Sequence, residues 1–102
     1  LLTDYYEKQK SEAAIQVQTE RIVERLELLG IDSNRLTEYS VDILSEVFDF
    51  GDMEYFAGIK LFNKVIDRLG VDMDQQKRYE VFDRIYEAGM REKKVERNRN
   101  SR

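Results

Sequence analysis

The sequence predicts an all-α protein: a compact bundle of about four helices with a polar N-terminal extension and a basic C-terminal tail. Three observations predict it. The 102 residues contain no Pro and only five Gly, so long stretches hold nothing that interrupts a helix. Apolar residues recur at spacings of three, four and seven, the period of one helix face. Between the periodic runs stand Gly-apolar pairs and clusters of Asp, Ser and Asn, which stop and start helices. The length fits one domain, assigned to residues 1–90, with residues 91–102 as a mobile polar tail.

The first helix is expected from about Thr3 to Leu29. Ile15, Ile22, Val23, Leu26 and Leu29 lie on one face. Its first dozen residues are polar apart from Tyr5, Tyr6 and the leading leucines, so this part is expected to project from the bundle. Gly30 suits a left-handed C-terminal cap, and Ile31 the apolar contact that follows one. Ile15, Ile22 and Leu29 also repeat every seven residues, which suggests a homo-oligomer through this helix.

The second helix is expected from Ser33 or Asn34 to Phe48, after the N-cap types Asp32, Ser33 and Asn34. Leu36, Tyr39, Ile43, Val47 and Phe50 form one stripe and Val41, Leu44 and Phe48 a second, so this reads as the most buried helix. Gly51 ends it and Asp52 can cap the next. The third helix, about Met53 to Leu69, carries Tyr55, Ile59, Phe62, Ile66 and Leu69 at alternating spacings of four and three. Gly70 and Val71 stop it. Asp72 with Gln75 fits an acidic variant of the capping box, and a fourth helix follows with Tyr79, Phe82 and Tyr86. It ends at Gly89 or continues into the tail.

The two joints resemble each other. Leu29-Gly30-Ile31-Asp32 matches Leu69-Gly70-Val71-Asp72 at an offset of forty, with Tyr39 on Tyr79 and Val41 on Val81. Two partial copies are too few for a solenoid, and they read as shared cap chemistry or an old helical-hairpin duplication.

No His and no Cys occur, which removes the side chain that titrates near neutrality, the most readily activated nucleophile and the commonest zinc ligands. There is no phosphate-binding Gly-rich loop and no nucleophile elbow. An enzyme, a cofactor and a metal are therefore not expected. Asp32-Ser33-Asn34 and Asp72-Met73-Asp74 open like calcium loops. Their fifth positions are Leu36 and Gln76 and their sixth Thr37 and Lys77, where an oxygen ligand and Gly are required, so these acids read as helix caps. Gly30, Ile31 and Leu36 have the rhythm of a helix-turn-helix, but Leu26 is too large for its small-residue position. The would-be reading helix also carries Glu38, Asp42 and Glu46, which repel phosphate.

Charge divides the chain. Residues 1–90 balance to −8 and residues 91–102 to +4. Between Arg35 and Lys60 stand six acids and no base. On one helix Glu38, Asp42 and Glu46 fall at i, i+4 and i+8, with Asp49 near the same line, an acidic ridge kept despite mutual repulsion. It is a candidate docking surface for a basic partner protein. In the tail, Arg91, Lys93, Lys94, Arg97, Arg99 and Arg102 could meet phosphate, but no aromatic residue is interleaved for stacking on bases. Tyr39, Tyr55, Tyr79 and Tyr86 are expected in the core with their hydroxyls at its rim, and Tyr5 and Tyr6 at an interface.

Leu1-Leu2-Thr3-Asp4 is too short and too soon acidic for a signal peptide, and no apolar run is long enough to span a membrane. With no Cys, a cytoplasmic protein is expected. The functional expectation is a non-enzymatic protein-binding module: a small regulator, inhibitor, adaptor or assembly factor. The alternative is a nucleic-acid-associated protein that uses the basic tail.

Overall fold

A computed structural model describes the backbone of residues 2–50 and 53–100 and the side chains of residues 12–50 and 53–91. The expected all-α bundle is what forms. Helix α1 spans Leu2–Leu28, a 3-10 helix Ser33–Glu38, α2 Val41–Val47, α3 Tyr55–Leu69 and α4 Gln75–Asn100, with no strand among the described residues. Helix α1 packs on α3, α2 on α4, and α3 on α4.

Each element follows from its residues. On α1, Ile15, Thr19, Ile22, Val23 and Leu26 are buried at spacings of four, three, one and three. Thr19 joins this apolar face because its hydroxyl donates to the Ile15 carbonyl, 2.7 Å away, and so leaves no unpaired donor. Ile15 and Ile22 thus lie in the chain's own core. Leu29, expected on that face, is 62% exposed, because α1 ends at Leu28 and the chain turns away at Gly30.

Both Gly joints form as predicted. Gly30 has φ 67° and Gly70 φ 70°, the left-handed region that only Gly enters without steric cost. The Ile31 amide donates to the Leu26 carbonyl and the Gly30 amide to Glu27, while Val71 donates to Ile66 and Gly70 to Asp67. These are two complete Schellman motifs, and Ile31 and Val71 pack against the core as the motif requires. The copies diverge after the turn. The first enters the 3-10 helix and the second the 26-residue α4. The cap of α4 is Asp74, whose Oδ1 accepts from the Lys77 amide at 2.8 Å, rather than Asp72 with Gln75. Gly89 lies inside α4, which runs on to Asn100.

The largest departure lies in the second segment. The expectation is one helix from Ser33 to Phe48; a break at Tyr39 and Ser40 divides it. Tyr39 takes extended backbone, and Ser40 becomes an N-cap whose Oγ accepts from the Ile43 amide at 3.2 Å. A Ser hydroxyl competes with the helical ladder and favours a cap over an interior position. The break lets Leu36 on one side and Leu44, Val47 and Phe48 on the other all reach the core. It also rotates Ile43 outward to 46% exposure, so Ile43 is not a core residue. Gly51 and Asp52, expected to stop α2 and cap α3, lie outside the described residues.

An aromatic centre joins α2, α3 and α4. Phe48, Phe50, Phe62 and Phe82 are buried there, with Tyr55 and Tyr86 half-buried at the rim. Ring centroids stand 5.1–5.9 Å apart around Phe82, mostly tilted or edge-on. The two rim hydroxyls are bonded: Tyr86 donates to the Met53 carbonyl at 2.9 Å and Tyr55 to Asp83 at 2.6 Å. Tyr79 departs from its expected core position and is 42% exposed on the outer side of α4.

The hydrogen bond to the Asp83 carboxylate, with burial and the negative charge of Asp83 adding to it, pushes the Tyr55 phenol up to about 12. The ordinary value is about 10, so between about pH 10 and 12 the unfolded chain loses this proton before the folded one does. The stability that the bond contributes is therefore complete below pH 10 and lost as pH rises toward 12. Tyr55→Phe should unfold at lower urea than the native protein at pH 7, and the gap between their midpoints should close on going to pH 12. A gap that stays constant over that range would show that the Tyr55–Asp83 bond does not set it.

Candidate docking groove

The acidic ridge does not lie along one helix, because the break at Tyr39 and Ser40 separates its members. Glu38 ends the 3-10 helix and is ion-paired with Arg35. Asp42 and Glu46 remain one turn apart on α2, both exposed, and Asp49 is exposed just after the helix. Asp42 stands in the first turn of α2, where the helix dipole favours a carboxylate, so little repulsion has to be tolerated there.

What the break creates instead is a groove. The exposed side chains of Leu29 and Ile43 line it with Ile31, Tyr39 and Val47, and Arg25 and Glu46 stand among its walls. It is open to solvent and encloses about 560 Å³. One wall is the C-terminal turn of α1 and its Gly30 cap; the other is α2. Both are fixed in place. The Asp32 amide donates to the Tyr39 hydroxyl at 2.9 Å, and Asp32 Oδ1 accepts from the Asn34 amide at 3.0 Å. Arg25 Nη1 donates to the Val47 carbonyl at 3.4 Å, tying α1 to the end of α2. An apolar surface held this way loses little conformational freedom when a partner covers it.

The apolar periodicity places Leu29 and Ile43 in the core, and nothing in it points to a groove. One cue is present. Leu29 stands directly before Gly30, so a left-handed cap there takes it off the end of the α1 face. The other exposed large apolar side chains, Val17 and Leu28 on α1, Phe56 on α3 and Tyr79 on α4, do not line this groove. A second hollow, between Leu36, Val41 and Leu44 on one side and Val81 and Arg84 on α4, encloses only about 40 Å³, room for little more than water.

Asp32, the first acid of one calcium-like stretch, and Asp74, the second acid of the other, each hold a backbone amide at the start of a helix, as caps do. Among the described residues no three His, Cys, Asp or Glu gather as metal donors. Arg91 is exposed on α4. The side chains of Tyr5, Tyr6, Lys93, Lys94, Arg97 and Arg99, and the whole of Arg102, lie outside the described residues. Among the described residues no helix is long and apolar enough to cross a membrane. The chain matches no protein-family model, no curated protein and no solved structure.

Proposed function

We propose that the chain is a non-enzymatic protein-binding module that docks a partner protein in the groove between α1 and α2. The observation that carries this reading is the exposure of Leu29 and Ile43, two large apolar residues on walls that the protein itself holds rigid. Their exposure costs solvation free energy that a covering partner would recover, at about 25 cal/mol per Å² of apolar area. Asp42 and Glu46 beside them add charge that mainly speeds encounter. The sequence has no His and no Cys, which favours action by surface occupation over chemistry.

The test is affinity capture from a native lysate with the whole chain and with the L29S/I43S double variant. Both positions are exposed, so circular dichroism should show an intact fold. Proteins held by the native chain should be lost from the variant and should survive nuclease treatment. Retention of the same proteins by the variant would remove the groove as the docking site. Capture abolished by nuclease would favour the nucleic-acid reading instead.

A further inference from the structure

Given the docking role just proposed, on which this inference rests, the chemistry of the groove also narrows the class of partner. We infer that the occupant is an amphipathic α-helix of another protein. Its apolar stripe sits on Leu29, Tyr39 and Ile43, and Lys or Arg on its flank faces Asp42 and Glu46.

The shape of the site favours a helix. Its walls are the last turn of α1 and the short α2, and among the described residues no strand offers an edge for an extended peptide to pair with. An apolar trough between helices is the surface into which an amphipathic helix lays residues spaced three and four apart. Charge favours a basic flank. The charged side chains of α2 are Asp42 and Glu46, both exposed, and the sequence holds no base between Arg35 and Lys60. Arg25 is the cation lining the groove, and it is held against the Val47 carbonyl at the C-terminal end of α2, where a positive charge offsets the helix dipole. The acids beside Ile43 are left facing outward. An anionic ligand would meet those acids and be repelled.

A second copy of the chain fits less well. Two grooves facing each other would bring Asp42 and Glu46 toward their own counterparts. The strongly basic segment, residues 91–102, holds Val95 as its single apolar residue and has no stripe to fill the trough. The occupant proposed brings both a stripe and positive charge, which this segment does not.

The probe is a fluorescein-labelled peptide of about 18 residues built from Leu, Ala and Lys, with Leu at helical spacing on one face and Lys on its flanks. A second peptide has the same composition scrambled to destroy the stripe, and a third has Glu for Lys. Anisotropy with the full chain is expected to show the first peptide binding at least about tenfold tighter than either control. I43S should weaken it by about tenfold or more, as loss of a central apolar anchor does. D42N/E46Q should weaken it by about threefold to tenfold, chiefly through slower association, and added salt should have the same effect on the native chain.

If the Glu peptide binds as well as the Lys peptide and I43S still weakens both, the basic occupant is overturned while the docking groove stands. If the scrambled peptide binds as tightly as the striped one, and I43S changes neither, both the helix and the groove are overturned. Sedimentation showing a dimer of the native chain that I43S abolishes would overturn the inference in favour of a second copy.

Discussion

Replacing Phe82 with Ala is expected to cost about 3–5 kcal/mol, measured as the loss in unfolding free energy from urea denaturation. Phe82 is 0% exposed and lies where α2, α3 and α4 converge. Its ring stands 5.1 Å from Phe50, 5.2 Å from Tyr55, 5.3 Å from Tyr86 and 5.9 Å from Phe62, centroid to centroid. Those neighbours come from the segment after α2, from α3 and from α4 itself, so no one helix can slide inward to fill the space left. Where a site cannot collapse, the cavity term adds to the lost transfer free energy. Small domains are stable by only about 5–15 kcal/mol, so this one change removes a large share. Ile43→Ala is the matched control: an exposed position should lose about 0.5 kcal/mol or less. A loss below about 1 kcal/mol for Phe82→Ala would mean that the aromatic centre does not hold the bundle together.

That contrast marks where the sequence is a good guide. The faces of α1 and α3 were legible because long amphipathic periods have one consistent solution: Ile22, Leu26, Phe62 and Ile66 are all buried where their spacing puts them. The Gly joints were legible because a left-handed backbone needs Gly and an apolar residue after it. The segment from Ser33 to Phe48 misled for a local reason. Its apolar residues cover nearly two stripes, a width that fits one deeply buried helix or two short pieces with different orientations. Ser40 decides between them by capping Ile43, and its type, two residues before Asp42, is the N-cap signal that the periodic stripe obscured. From that one break come the outward turn of Ile43, the loss of a single-helix acidic ridge and the groove itself. The acids were visible in the sequence; the apolar floor beside them was not, since exposure is set by what the rest of the chain fails to cover.

Gly58 tests the same aromatic centre from the opposite side. It lies on α3 in ordinary helical geometry, where helix propensity alone would make Gly58→Ala stabilising by about 1 kcal/mol. Packing opposes this. A Cβ at Gly58 would stand 2.9 Å from Phe82 Cζ and 3.1 Å from Cε1, well inside normal contact, with Phe50 Cδ1 at 3.7 Å. The Phe82 ring is fully buried and has four other aromatic rings around it, so moving it disturbs their packing too. Overpacking of this kind costs about 1–3 kcal/mol, so Gly58→Ala should be net destabilising by about 1 kcal/mol and Gly58→Leu by about 3 kcal/mol or more. Coupling identifies the cause. In a Phe82→Leu background the shorter side chain leaves room for the new methyl, and Gly58→Ala should then recover its helical advantage. The double variant should be more stable than the two single losses predict by about 1 kcal/mol or more, beyond the roughly 0.3–0.5 kcal/mol scatter of independent sites. Simple additivity, or a Gly58→Ala variant more stable than the native chain, would show that the Phe82 ring yields and that close approach of α3 to α4 is not why Gly occupies this position.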